Sequence, residues 1–102
     1  MIKINKESLD QTCGACPSQW DAYTEDNEYV YIRFRHGTLS IEIDENSENK
    51  TIFFSYLPDL NLEDFHFEEF DSYSGVLSEL DLVDIVNNYC KYSGSEKIVE
   101  FV

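Results

Sequence analysis

Cys13-Gly14-Ala15-Cys16-Pro17 sets two thiols at C-x-x-C spacing, a separation that lets both sulfurs reach one zinc ion or close one disulfide. Zinc needs further ligands, and the only other cysteine and histidines are Cys90, His36 and His66, none of them paired at knuckle spacing. A thioredoxin-like pair follows a strand and opens a helix, whereas only twelve residues precede Cys13 and a strand pattern follows it. The commoner fate of such cysteines is as small buried apolar groups. No metal and no cofactor are therefore expected, and Cys13, Cys16 and Cys90 are the set that a zinc-stabilised alternative would use. A Cys16–His36 pair would give a thiol its base, but nothing in the spacing argues for it. Glycine-rich phosphate loops, H-E-x-x-H, G-x-S-x-G and calcium-loop patterns do not occur, so the expectation is a protein that is not an enzyme.

Charge is more informative. The 102 residues hold 21 acidic and 7 basic side chains, for a formal charge of -14. Residues 1–41 contain 6 acids and 4 bases and residues 72–102 contain 5 acids and 2 bases, while residues 42–71 set 10 acids against Lys50 alone. There the carboxylates alternate with aromatics, most densely in Glu63, Asp64, Phe65, Phe67, Glu68, Glu69 and Phe70. Carboxylates steer encounters with a basic surface and aromatics anchor them, so these seven residues are the candidate partner-binding set. The plainer reading is a solvated acidic face. Direct nucleic-acid or anionic-membrane binding is not expected, because phosphate affinity comes largely from lysine and arginine. A different class of function, a small-ligand or nucleotide-sensing domain, would use Trp20, Tyr31, Arg33 and Arg35, with the guanidinium groups clamping a carboxylate or phosphate.

Length and composition bound what can position these residues. A chain of 102 residues, 42% hydrophobic and 15% aromatic, supports one modest core, and the expectation is a single α+β domain over residues 1–102. Neither a signal-peptide h-region nor an apolar run of membrane-spanning length is present, and three cysteines are an odd, sparse set for a disulfide-stapled secreted domain. The expected location is the cytoplasm.

The strongest local signal is Tyr29–Arg35, His36-Gly37, Thr38–Asp44. Both arms alternate with period two around a two-residue link able to adopt positive φ, which predicts a hairpin. With that link as the turn, Phe34 faces Leu39, Ile32 faces Ile41 and Val30 faces Ile43, while Arg33 lies opposite Ser40, Tyr31 opposite Glu42 and Arg35 opposite Thr38. Gln19–Thr24 pairs with the Tyr29 arm through Glu25–Glu28. An odd loop puts Trp20 and Ala22 in the core, an even one Tyr23, and the odd arrangement is favoured. Lys50–Tyr56 reads as a further strand ended by Pro58, Asp64–Phe70 as a short edge strand or a loop pinned by phenylalanines, and Ile98–Val102 as a closing strand. From Ser78 to Tyr92 the period becomes helical: Leu82, Ile85, Val86 and Tyr89 form a stripe widened by Leu80, Val83 and Cys90, with Ser78 as N-cap. The predicted architecture is an antiparallel sheet of four to five strands, a meander of hairpins, packed against one C-terminal amphipathic helix.

Ala15-Cys16-Pro17-Ser18-Gln19-Trp20, followed by Tyr31-Ile32-Arg33-Phe34-Arg35, Gly37 and Leu39-Ser40, resembles a family of small uncharacterised bacterial and phage proteins with an A-C-P-S-Q-W segment leading into a Y-I-R-x-R hairpin. The likeness covers about residues 12–43 and brings no activity and no functional residue with it. It implies a bacterial or phage setting and a shared hairpin core in which Trp20, Arg33 and Arg35 form a stacked or hydrogen-bonded cluster. Together these readings lead to a non-enzymatic acidic module that docks on a basic, nucleic-acid-binding surface of another protein, as an inhibitor or an immunity or anti-defence protein does.

Overall fold

The computed structural model describes residues 2–14, 18–45, 47–59, 75–92 and 99–102. Its centre is the predicted hairpin, β4 (Tyr29–Arg35) and β5 (Thr38–Glu45). All six expected pairings occur, from Arg35 with Thr38 through Phe34 with Leu39 to Val30 with Ile43. His36 and Gly37 have φ of 52° and 74°, positive at both turn positions as a two-residue hairpin link requires. Glycine adopts this region freely and histidine does so at a cost.

β3 (Ser18–Tyr23) pairs antiparallel with β4, Trp20 opposite Ile32 and Ala22 opposite Val30. The link between Tyr23 and Tyr29 is thus odd-numbered, and Trp20 and Ala22 are completely buried, as favoured. β2 (Asp10–Gly14), which the sequence pattern does not announce, adds to the outer side of β3 with a register shift between Gln11 and Cys13. β6 (Glu48–Tyr56) pairs with β5, and because Ile41 faces Phe53 while Glu42 faces Thr51, Ile52 is the extra residue of a bulge. The sheet order β2-β3-β4-β5-β6 is antiparallel throughout.

α1 (Glu79–Tyr92) begins as expected: the Asp81 N–H donates to Ser78 Oγ at 3.1 Å, satisfying one of the amides that a helix start leaves unpaired. Leu82, Ile85 and Val86 are buried and join the inner face of the sheet in one apolar cluster. Burial of each such side chain contributes roughly 1.5–3 kcal/mol. Leu80 does not belong to the stripe. It is 80% exposed, because one turn ahead of Asp84 it lies on the solvent side of the helix. The side chains of Tyr89 and Cys90, also expected in the stripe, lie outside the described residues, as does the segment Asp64–Phe70.

The closing strand is present, but it lies outside the five-stranded sheet. β7 (Val99–Phe101) pairs in parallel with β1 (Ile2–Ile4), another strand unannounced by the sequence, and the two form a small separate sheet. The other edge of β1 meets the end of β3: Asn5 N–H donates to the Tyr23 carbonyl and Glu25 N–H to the Lys3 carbonyl, both at 3.0 Å. Ile4, Val99 and Phe101 complete the core. Among the described residues no helix is long and apolar enough to cross a membrane.

Candidate functional site

One face of the sheet carries the core and the other, open among the described residues, carries the polar side chains. Successive strand residues point to opposite faces, and cross-strand partners share one, so the register assigns every outward side chain. Gln19, Arg33, Ser40 and Phe54 form one row across β3 to β6; Asp21, Tyr31, Glu42 and Thr51 form the next. Tyr23 with Tyr29, and Asp44 with Asn49, extend the acidic end. Arg35, Thr38 and Tyr56 extend the other.

The face is therefore polarised. Toward one end lie Asp21, Glu42 and Asp44 among Tyr23, Tyr29 and Tyr31. Tyr29, Tyr31, Glu42, Asp44, Ser47 and Asn49 line a hollow of about 340 Å³. The Tyr29 hydroxyl donates to Asp21 Oδ1 at 2.5 Å, a charge-assisted bond at the short end of its kind. That bond, then partial desolvation and the Asp21 charge, push the Tyr29 pKa up to about 12. The Tyr29 ring also meets Tyr23 at 6.0 Å between centroids with planes tilted 60°, a favourable aromatic geometry. Asn49 Nδ2 donates to Glu42 Oε2 at 3.1 Å. Acid, phenol and amide are thus held in fixed relative positions on rigid strands.

Toward the other end, Arg33, Arg35, His36, Thr38, Ser40 and Phe54 line a second, shallower hollow of about 550 Å³. Arg33 and Arg35, the chain's only arginines, stand two residues apart on β4. Arg33 is diagonal to Glu42, as the register predicts, yet Glu42 engages Asn49. Among the described residues neither guanidinium forms an ion pair with a carboxylate, and Arg33 Nε is buried with no hydrogen-bond partner there.

The structure divides the four residues first grouped as a ligand-binding set. Arg33 and Arg35 share one hollow and Tyr31 lines the other. Trp20, in register with Ile32, is 0% exposed on the inner face, so it cannot stack on either arginine, and the expected Trp20–Arg33–Arg35 cluster does not form. Its indole Nε1 is buried without a partner among the described residues. Cys13 is half-buried at the end of β2, opposite Gln19. Cys16 and the side chain of Cys90 lie outside the described residues, as do Glu63, Asp64, Phe65, Phe67, Glu68, Glu69 and Phe70. Among the described residues no group of three or more His, Cys, Asp or Glu side chains converges to hold a metal ion.

The acidic tyrosine cluster is not evident from local spacing because its members come from four strands and are spread over 28 positions, from Asp21 to Asn49. The signal was nevertheless in the hairpin register, which already set Tyr31 opposite Glu42. No protein-family model, curated protein or solved structure matches the chain.

Proposed function

We propose that the protein is a non-enzymatic acidic binding module, an inhibitor or an immunity or anti-defence protein, that docks on the basic, nucleic-acid-binding surface of a partner protein. The observation that carries this reading is the hollow between Tyr29, Tyr31, Glu42 and Asp44. A lysine or arginine side chain entering it meets two carboxylates and two aromatic rings, so it exchanges its hydration for charge-assisted hydrogen bonds and cation–π contact. Tyrosine is among the side chains that most often dominate interface energetics, and here it sits on rigid strands where little conformational entropy is lost on binding. The formal charge of -14 steers a basic partner toward the molecule before contact. The sequence from Glu63 to Phe70 repeats the same mixture of carboxylates and aromatics and would add to such a surface.

The test is isolation of the partner from the native cell with the wild-type chain and with a Glu42→Gln/Asp44→Asn variant, at about 0.1 M and about 0.5 M salt, which shortens the screening length from roughly 10 Å to less than half that. The expected partner has a basic binding surface, is retained by wild type at low salt, and is lost at high salt or with the variant. Retention of the same partner by the variant at both ionic strengths rejects the reading.

A further inference from the structure

We propose that the hollow at the arginine end of the open face is a binding site for a nucleoside monophosphate, with the phosphate on Arg33 and Arg35 and the base on Phe54. This site is separate from the acidic hollow and does not depend on the docking proposal.

Three observations converge. The first is the state of the arginines. In a chain with 21 carboxylates and 7 cationic side chains, arginines on a sheet face are expected to find acidic partners. Arg33 and Arg35 form no ion pair among the described residues, and the two carboxylates diagonal to Arg33, Asp21 and Glu42, are engaged by Tyr29 and Asn49. Arg33 Nε is buried and, among the described residues, unpartnered, which costs free energy unless something accepts its hydrogen. Two guanidinium forks two residues apart on one strand face the same way and match the double charge and spread oxygens of a phosphate monoester.

The second is Phe54. It is 73% exposed, in the row that runs from Arg33 through Ser40, and it forms the far wall of the hollow. An exposed ring beside hydroxyls and guanidiniums offers a stacking platform for a base, a contact indifferent to which base is bound.

The third is spacing. β4 and β6 flank β5, so the arginine strand and the Phe54 strand are about 10 Å apart, twice the usual interstrand distance. Arginine side chains are long enough to reach into that gap, leaving room between guanidinium and ring for the sugar that joins a phosphate to a base. Between them stand Ser40 and Thr38, whose hydroxyls can donate to or accept from ribose hydroxyls. A bare anion would leave Phe54 unused and an uncharged nucleoside would leave the arginines unused. A long polyanion would run past the local positive patch into the field of the remaining carboxylates.

Titration with AMP and with UMP, followed by amide chemical shifts and by calorimetry, tests the site, with adenosine and inorganic phosphate as separate arms. The expected result is saturable binding of both nucleotides with shifts confined to β4, β5 and β6 around Arg33, Arg35, Ser40 and Phe54. Adenosine and inorganic phosphate should each bind at least roughly tenfold more weakly, since each forgoes one class of contact. Phe54→Ala and Arg35→Gln, both at exposed positions that leave the core intact, should each weaken AMP binding by roughly tenfold. Arg33→Gln should do the same, checked for folding by its amide spectrum. Absence of saturation by AMP and UMP, equal affinity for AMP and inorganic phosphate, or AMP affinity unchanged in both Arg35→Gln and Phe54→Ala would overturn the proposal.

Discussion

The carboxamide of Asn87 grips both backbone groups of Phe101: the Phe101 N–H donates to Asn87 Oδ1 at 2.8 Å, and Asn87 Nδ2 donates to the Phe101 carbonyl at 3.1 Å. β7 pairs with β1 along one edge, where Val102 N–H donates to the Ile4 carbonyl at 2.9 Å. Phe101 presents its own N–H and C=O to the opposite edge, so one helical side chain supplies what a further strand would otherwise supply. Leu82, Ile85 and Val86 set how closely the helix approaches the core, while Asn87 sets where β7 stops along it.

Asn87→Ala removes that clasp and leaves two half-buried backbone groups to find other partners. The expected cost is about 2 kcal/mol, the range for orphaned hydrogen-bonding groups, read as a lower urea midpoint at unchanged slope. Asn87→Asp keeps the acceptor but sets a carboxylate against the Phe101 carbonyl, so it too should destabilise. Unchanged midpoints in both variants would mean that water serves this edge equally well.

The Tyr29–Asp21 pair makes alkaline stability readable. The folded pKa of Tyr29 is raised to about 12 against an unfolded value near 10, so folding favours the protonated phenol. The contribution is fully present below about pH 10 and is lost as pH rises through about 12. In a phenolate absorbance titration, one of the 7 tyrosines should ionise later than an exposed one. In Asp21→Asn that lag should shrink, since the carboxylate supplies its largest cause. Stability of the wild type should fall more steeply between pH 10 and 12 than that of Tyr29→Phe; parallel curves would show that the bond contributes nothing to folding.

The turn of the central hairpin offers opposite signs at adjacent positions. Gly37→Ala must hold a side chain at φ 74° and should cost about 1 kcal/mol. His36→Asn places the residue most at home in such a turn at φ 52° and should stabilise by about 0.5 kcal/mol. Chemical denaturation of the two variants against wild type decides this, and equal effects of one sign would contradict the assigned turn.

What was legible from the sequence, and what was not, follows the range of each signal. Alternation in Tyr29–Arg35 and Thr38–Asp44 is local and tests itself, because only one register matches three apolar pairs. The same parity placed Trp20 beside Ile32, and thereby on the face opposite Arg33 and Arg35, a consequence that the Trp–Arg cluster implied by the family resemblance obscured. Ser78 announced a helix start because a cap is a local bond. β2 was silent: Asp10-Gln11-Thr12-Cys13-Gly14 lies at the sheet edge with no fully buried residue, so selection for apolar alternation is absent. β1 was silent because its three residues find their partner nearly a chain length away. Ser18 and Asn87 belong to the same class. The Ser18 hydroxyl, completely buried, accepts from Leu77 N–H at 3.2 Å and can donate to the Gly75 carbonyl at 3.1 Å, tying β3 to the approach of α1. A polar residue whose partner is a distant backbone group leaves no periodic trace.

The bulge at Ile52 makes a deletion tolerable where deletions in strands are usually disruptive. Removing Ile52 joins Thr51 directly to Phe53, and the pairs Glu42–Thr51 and Ile41–Phe53 become consecutive rungs of a regular ladder. Register and faces are kept on both sides, and the loss is one half-buried side chain, about 1 kcal/mol. Deleting Arg33 from the regular strand β4 instead turns half of its side chains to the wrong face and should prevent folding. Amide spectra of the two variants give the answer, and collapse of the Ile52 deletion would place the irregularity elsewhere.

The acidic end should be better for binding than for folding. Asp21, Glu42 and Asp44 share one face within two rows of the ladder, and their mutual repulsion is offset only in part by the Tyr29 and Asn49 hydrogen bonds. Glu42→Gln/Asp44→Asn relieves that repulsion, so the variant should be more stable than wild type by about 0.5 kcal/mol at low salt, with the gain shrinking as salt screens both forms. A merely solvated face predicts the same stability gain with no further consequence. A docking face predicts in addition that the more stable variant binds its basic partner at least roughly tenfold more weakly, through loss of desolvated charge-assisted contacts. Stability and affinity moving in opposite directions is the signature that separates the two, and denaturation at two salt concentrations beside the binding measurement reads both.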